Sequence, residues 1–143
     1  MAAIQGRDTK PELVIRKGLH ARGFRFRLQG RDLPGRPDLV FPKYRALLWV
    51  HGCFWHGHDC SLFILPATRR EFWQNKIERN RNRDDEVRHL LAESRWRQLT
   101  IWECAFRGPG RIGLEATIEN AVGWLRSDMR YGEIRSGHER VLA

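Results

Sequence analysis

Ten consecutive residues near the middle of the chain, HGCFWHGHDC at 51–60, combine metal-binding side chains with large aromatic ones. Histidine and cysteine supply the nitrogen and sulfur ligands that many transition metals bind. Phe54 and Trp55 instead carry rings that are stabilised when another surface covers them. A bound metal, a stack of nucleic-acid bases, or both would explain why these side chains occur together. We therefore expect this segment to carry chemistry.

Cys53, His58 and Cys60 of this segment, together with the later Cys104, form a candidate zinc-binding set. Three thiolates and one imidazole are a regular tetrahedral ligand set for structural zinc. The spacing is not the common pair of C-x-x-C motifs, so buried thiols beside an unrelated histidine are the alternative. The odd number of cysteines, three, disfavours a secreted disulfide scaffold and favours a reducing cytoplasm.

Asp38 is a second candidate metal ligand, in the turn and strand sequence LPGRPDLVF at 33–41. An acid at the start of a strand could hold Mg²⁺ together with a backbone carbonyl of the neighbouring strand. His51 ends the next apolar run, so it would lie near Asp38 if the two runs form a hairpin. The alternative is an aspartate that only caps its own turn.

Aromatic and polar residues recur at helical spacing after the Cys/His segment. They are Trp73, Lys76, Asn80 and Asp84. Lysine and asparagine can hydrogen-bond to base edges, and tryptophan can stack on a base. This face of the predicted helix is therefore a candidate nucleic-acid contact, and a solvated polar face is the alternative.

The chain is strongly basic, with a formal net charge of +9 and a sequence pI of about 10.5. Arginine suits bidentate phosphate recognition, and clustered arginines favour nucleic acid over a merely solvated surface. No apolar run reaches the length of a membrane span, and the first ten residues are polar. We therefore expect a cytoplasmic protein without a secretory signal or a membrane partner.

The elements that must position these residues are predicted to form one mixed α/β domain over 1–143. The predicted helices are 9–23, 69–94 and 114–127, and the predicted strands are 24–28, 38–41, 45–50 and 97–103. Thr68 and Glu71 match a capping box that would start the long helix. No periodicity is visible from about residue 128, so 128–143 is predicted to be a loose tail.

Several motifs, read together, resemble the very-short-patch repair (Vsr) endonucleases, which nick DNA at T:G mismatches. The matching segments are RDTKPE (7–12), LPGRPDLVF (33–41), HGCFWHGHDC (51–60), PATRREFWQNKIERNRNRD (66–84) and WECAFRG (102–108). The resemblance covers roughly residues 1–110. It implies a restriction-endonuclease-like fold of the PD-(D/E)XK type, with an αβββαβ core and a structural zinc site.

The resemblance also implies the catalytic residues, which are Asp38, His56, His51, Glu12 and Asp84. His56 would be the general base and His51 a second active-site histidine, with Glu12 and Asp84 as their acidic partners. The carboxylate of Asp38 and the backbone carbonyl of Val50 would hold Mg²⁺. The zinc ligands implied are the same four residues that the donor chemistry selects.

The remaining implied residues contact DNA. Phe54, Trp55 and Trp73 would intercalate beside the mismatch, and Lys76 and Asn80 would contact nearby bases. Met1 would enter the minor groove as part of a DNA-contacting arm over 1–10.

Taken with the residue patterns, the resemblance implies a Mg²⁺-dependent endonuclease that nicks double-stranded DNA 5′ to the thymine of a T:G mismatch. We expect it to act as a monomer on DNA, in the bacterial cytoplasm near the nucleoid, with other repair proteins as candidate partners. One alternative is a zinc-stapled module that binds distorted DNA without cutting it. The other is a nuclease of the same fold with a different target.

Overall fold

A five-stranded mixed sheet forms the centre of the protein, in a computed structural model that describes residues 9–137. The strands are β1 (Arg27–Leu28), β2 (Leu39–Phe41), β3 (Ala46–His51), β4 (Arg97–Trp102) and β5 (Tyr131–Ile134). The helices are α1 (Lys10–Ala21), α2 (Arg70–Glu93) and α3 (Leu114–Leu125). In this described part of the chain, none of the helices has the length and apolar character of a membrane span.

The sheet has the strand order β1-β2-β3-β4-β5, with antiparallel pairing as far as β3 and parallel pairing from there to β5. The parallel pair β3 and β4 needs a long crossover, and α2 supplies it. The chain order is therefore αβββαβ followed by α3 and β5. This confirms the predicted core of the restriction-endonuclease-like fold.

Both faces of the sheet are covered, and for this reason β2 and β3 are nearly continuous apolar runs and all of β4 after its first residue is buried. On one face, Leu48 and Leu99 lie in the main core with Ile15 of α1 and Ile118 of α3. On the other face, a smaller cluster packs around Leu91 of α2, with Val40 and Leu47 of the sheet.

The first helix begins as the sequence predicts. The side chain of Thr9 accepts a hydrogen bond from the backbone N–H of Glu12 at 3.4 Å, and Pro11 occupies the first turn. The helix ends at Ala21, shortly before Gly23 at a φ of +92°. These limits place the buried side chain of Glu12 next to the edge of the sheet that carries β1 and β2.

The first strand is shorter than the predicted 24–28, and one of its apolar side chains is exposed. Only Arg27 and Leu28 pair with β2, and Leu28 is 42% exposed. Phe24 and Phe26 are buried or half-buried because they pack against Phe41, before the strand begins. Side-chain packing rather than strand pairing therefore explains the apolar alternation in this segment.

The predicted capping box at Thr68 and Glu71 was also wrong. The residue preceding α2 is Arg69, which has a left-handed backbone with φ of 55° and makes no side-chain capping bond. The guanidinium of Arg69 instead lies over the ring of Phe72, 4.1 Å from its centroid. The helix thus starts one residue later than a box based on Thr68 requires.

The predicted loose tail is corrected for the described part of its range. Residues Tyr131–Ile134 form β5, which pairs with β4, and Ile134 is buried in the core. A short strand with one core residue leaves no periodic signal, because its stability comes from a partner that is distant in sequence. Residues 138–143 lie outside the described residues.

Arg97, the first residue of β4, fastens the end of α3 to the sheet. Its guanidinium donates hydrogen bonds to five backbone carbonyls, those of Tyr44, Trp124, Leu125, Ser127 and Met129. It also lies 4.3 Å from the ring centroid of Trp124. Two of these carbonyls, those of Trp124 and Leu125, belong to the last turn of α3, where carbonyl groups lack i+4 partners in the helix.

Replacing Arg97 should therefore destabilise the fold. Arg97→Met keeps the apolar stem but removes every donor, so we expect the free energy of unfolding to fall by about 2–4 kcal/mol. Urea denaturation followed by circular dichroism measures this change. Arg130→Met, at a nearby exposed residue, is the control and should change stability little. A loss equal in both variants would contradict the role given to the five carbonyl contacts.

Candidate active site and metal cluster

Asp38 lies at the start of β2, where the hairpin brings it against the end of β3. The antiparallel register, with Leu39 opposite Leu48, places the Asp38 carboxylate beside the backbone of Val50. The N–H of Val50 donates a hydrogen bond to Oδ2 of Asp38 at 2.7 Å. The hairpin predicted from sequence is confirmed, and Asp38 does more than cap its own turn, because it bonds to the neighbouring strand.

The buried side chain of Glu12 meets Asp38 from α1. The two carboxyl groups share a hydrogen bond, and Nε2 of Gln29 donates to Oε2 of Glu12 at 2.8 Å. Burial, together with repulsion from Glu12, raises the pKa of Asp38 to about 7, although the Val50 hydrogen bond acts in the opposite direction. Two carboxyl groups that repel each other at a strand end are a suitable site for a hard divalent cation.

His51, His56 and Asp84 form a second group beside this one. The rings of His51 and His56 are stacked with centroids 3.7 Å apart, and Nδ1 of His56 lies 2.6 Å from Oδ2 of Asp84. Because an ionised carboxylate can only accept, Asp84 fixes the proton of His56 on Nδ1 and leaves Nε2 able to take another proton. Burial lowers the pKa of His51 well below its ordinary value, so this ring is neutral.

The donor atoms of these three residues lie within 4.8 Å of one another, the spacing that a metal site requires. The two imidazole planes, however, differ by only 6°, so their in-plane lone pairs run parallel and do not converge on one point. Nδ1 of His56 is in addition already bonded to Asp84. The group is therefore suited to proton transfer rather than to metal binding.

The four predicted zinc ligands converge at the other end of the loop. Cys53, His58, Cys60 and Cys104 each offer one ligand atom, and these atoms lie within 4.8 Å of one another. The pKa of Cys104 is lowered, because it accepts hydrogen bonds from the Cys53 thiol, from His58 and from a backbone amide. A closed set of three sulfur atoms and one nitrogen, largely buried, has the donor chemistry of a structural metal site.

The loop that carries His56 and the Cys/His cluster packs closely against α2. Gly57 has a φ of +61°, and a Cβ atom built there would lie 2.6 Å from Cγ2 of Ile77, so only glycine fits. Nδ2 of Asn80 donates to the backbone carbonyl of Trp55 at 2.8 Å. Asn80, for which the resemblance implies a base contact, therefore also holds the loop to the helix.

Phe54, Trp55 and Trp73 form an aromatic cluster at the surface of the loop and α2. Their ring centroids lie 5.0 to 5.7 Å apart in edge-on arrangements, and all three are half-buried. Lys76 lies on the same face of α2 as Trp73 and is also half-buried. Side chains of this size that protein covers only in part are available to a planar ligand.

Comparison with known proteins finds a matching family and several similar sequences. The sequence model of the family "DNA mismatch endonuclease Vsr" matches residues 1–62. The chain is 46% identical over 143 residues to "DNA mismatch endonuclease Vsr" of Escherichia coli (strain K12), which covers all of this chain and 92% of that protein. It is 46% identical over 122 residues to "Type II nicking enzyme V.XorIIP" of Xanthomonas oryzae pv. oryzae, which covers 85% and 88%. A third relative, "Type II nicking enzyme V.NmeAIP" of Neisseria meningitidis, is 36% identical over 107 residues, which covers 75% and 76%.

The chain belongs to the Vsr family. The residues that resemblance to Vsr enzymes implies for catalysis lie together at one end of the sheet, since Asp38 bonds to Val50 and His51 follows Val50 in β3. The contacts of Glu12 described above lead to Asp38 and Gln29, and its pairing with His51 stays a prediction. Met1 and the arm over 1–10 are expected to contact DNA, but Met1 lies outside the described residues.

Two residues of the Vsr site had no assigned role in the sequence analysis. Gln29, which holds Glu12, stands in a loop without any periodic signal. Trp102 was placed in a predicted strand and in the matching segment WECAFRG without a role of its own, yet its indole stacks on His58 with centroids 3.9 Å apart and meets the edge of His51 at 5.3 Å. A hint was available, because β4 ends at Trp102, the first residue of the WECAFRG segment that contains Cys104.

The raised pKa of Asp38 has a consequence for stability. Between its ordinary value of 3.8 and about 7, the folded protein holds a proton that the unfolded chain has released, so stability falls as the pH rises through this range. Without added Mg²⁺, Asp38→Asn should therefore raise the free energy of unfolding at pH 8, by at most about 4 kcal/mol. The gain should shrink toward pH 4.

Denaturation curves at several pH values would measure this dependence. Asp32→Asn, at an aspartate with a 66% exposed side chain, is the matched control and should show no comparable gain. Lower stability of Asp38→Asn at pH 8 would contradict the repulsion between the two carboxyl groups.

Proposed function

We propose that this Vsr-family protein nicks double-stranded DNA 5′ to the thymine of a T:G mismatch. The observation that carries the proposal is the His56–Asp84 hydrogen bond of 2.6 Å, with His56 stacked on His51, the neighbour in β3 of the Val50 that bonds to Asp38. A histidine whose tautomer is fixed by a carboxylate is a general base, and a cation-binding carboxylate next to it suits phosphodiester hydrolysis.

In the proposed reaction, Nε2 of His56 takes a proton from a water molecule as the water oxygen attacks phosphorus. The bond from phosphorus to the 3′ oxygen breaks, the 3′ oxygen takes a proton from solvent water to become a hydroxyl, and a 5′-phosphate remains on the thymine side of the nick. Asp84 stabilises the imidazolium that forms, and the neutral ring of His51 keeps His56 in place by stacking. Mg²⁺ held by Asp38 and the Val50 carbonyl would supply positive charge at the phosphate and at the leaving oxygen.

We propose that Zn²⁺ occupies the Cys/His cluster, because three thiolates and one imidazole favour it over harder cations. In this role zinc is structural and takes no part in the reaction. The ion would fix both ends of the segment that carries Phe54, Trp55 and His56, so that the aromatic cluster and the base keep a constant position relative to Asp38.

Recognition of the mismatch is assigned to the aromatic cluster and to α2. A T:G wobble pair stacks less well than a matched pair, so that inserting Phe54, Trp55 and Trp73 beside it costs less free energy. Lys76 and Asn80 lie on the same face of α2 and would contact the displaced base edges. The exposed arginines of this region would bind phosphates, and they are Arg69, Arg70, Arg79, Arg81 and Arg83.

We infer a single domain over 1–143 that acts as a monomer on DNA in the bacterial cytoplasm, close to the nucleoid, with other repair proteins as partners. A related nuclease with another target is a second candidate, because several relatives carry the name "Type II nicking enzyme". Nicking of duplexes that place each mismatch in varied flanking sequence separates the two candidates.

The catalytic assignment predicts which substitutions stop nicking. Asp38→Asn should abolish nicking, and His56→Ala should slow it by about 10²–10⁴-fold, while both variants still bind the duplex. Single-turnover nicking of a plasmid with one T:G pair, with binding measured separately, tests this. Asp85→Asn and His89→Ala, two exposed residues of α2, are matched controls and should nick normally. Near-normal rates for Asp38→Asn or His56→Ala would refute these roles.

The recognition assignment predicts a loss of selectivity. T:G duplex should be nicked far faster than matched T:A, and Phe54→Ala or Trp55→Ala should reduce this ratio by about 10-fold or more. Tyr131→Ala removes an exposed ring remote in sequence from the loop and should leave the ratio unchanged. Equal cutting of matched and mismatched duplexes by the unmodified protein would exclude the proposed substrate and favour the second candidate.

A further inference from the structure

The end of β5 lies against the Cys/His cluster. Ile134, the last residue of the strand, is buried in the core, and Arg135 and Ser136 continue the chain toward the metal ligands. The N–H of Gly137 donates to the carbonyl of Gly110 at 2.9 Å, which fastens the chain beyond the strand to the loop that follows Cys104. The segment is thus anchored on both sides of residues 135 and 136.

The first contact with the cluster is made by the backbone. The N–H of Ser136 donates a hydrogen bond to Sγ of Cys104 at 3.3 Å, and Ser136 is only 4% exposed. An amide that donates to a thiolate stabilises its negative charge and fixes the direction of its lone pairs. The end of β5 therefore orients one of the four ligands.

The second contact is made by the guanidinium of Arg135. Nη1 donates to Oδ1 of Asp59 at 2.8 Å, and Nη2 donates to the backbone carbonyl of the same residue at 3.0 Å. Asp59 stands between the ligands His58 and Cys60, and its Oδ1 lies 3.7 Å from Nε2 of His58. One side chain thus holds both the backbone and the carboxylate at the centre of the ligand-bearing turn.

We propose that the end of β5 is a latch that retains the metal ion, with Arg135 as its positioning residue. The Asp59 side chain is 83% exposed, so the ion pair by itself adds little to the stability of the fold. Its effect is on the turn, because His58 and Cys60 cannot move away from the ion without breaking both bonds to Arg135. The proposal rests on zinc binding by the cluster and is independent of the DNA substrate.

The rate of zinc release from the full-length protein to a chromophoric chelator tests the latch. Arg135→Gln should release zinc about 10-fold faster than the unmodified protein, the lower end of the range for outer-shell partners. Asp59→Asn should have a smaller effect, because the bond from Arg135 to the backbone carbonyl remains. The exchanged pair Asp59→Arg with Arg135→Asp should release zinc more slowly than Asp59→Arg alone.

Arg22→Gln is the matched control. Arg22 pairs with Glu115 with side chains 28% and 79% exposed, close to the 25% and 83% of Arg135 and Asp59, but it joins α1 to α3. Arg22→Gln should leave the release rate unchanged at a temperature below unfolding. The latch would be overturned if Arg135→Gln released zinc no faster than the unmodified protein. It would also be overturned if Arg22→Gln released zinc as fast as Arg135→Gln. Absence of stoichiometric zinc from the purified unmodified protein would overturn zinc binding itself.

Discussion

The convergence of Cys53, His58, Cys60 and Cys104 constrains the loop between β3 and α2, which carries many of the other functional side chains. A long loop without regular secondary structure is costly to hold in one conformation, and a metal ion bound by a closed ligand set would offset that entropy. The cluster also joins distant parts of the chain, since Cys104 follows β4 and the amide of Ser136 follows β5. Trp102 packs between His58 and the stacked rings of His51 and His56, so order at the cluster extends to the histidines proposed for catalysis.

The end of the sheet is arranged for function at the expense of stability. Asp38 and Glu12 lie together where Asp38 is largely desolvated, and the charge of Glu12 further disfavours ionisation of Asp38. An apolar pair in this place would stabilise the fold better. The carboxyl groups instead provide a site that gains stability when a cation is bound, and the Val50 amide keeps Asp38 directed along the strand end.

The surface formed by the loop and α2 combines an apolar aromatic cluster with charged side chains that flank it. Phe54, Trp55 and Trp73 cover one another only in part, and exposed arginines flank them along the helix. A protein partner would need acidic side chains arranged around an apolar patch to match both kinds of group. Stacked bases and their phosphates satisfy both kinds of side chain at once, and this complementarity is the physical basis for assigning the surface to DNA.

Local chemistry in the sequence was sufficient to predict the ligand set, the hairpin that carries Asp38, the αβββαβ order and the long helix, because donor type, periodicity and turn residues are encoded within short segments. The tertiary structure alone decided the contacts that span the chain. It brought Glu12 against Asp38 and placed Trp102 between His58 and the stacked histidines. It also paired β5 with β4 and bonded Arg135 to Asp59. These contacts join residues far apart in the sequence, and which of them form depends on how the faces of the sheet are covered, a property that no single segment contains.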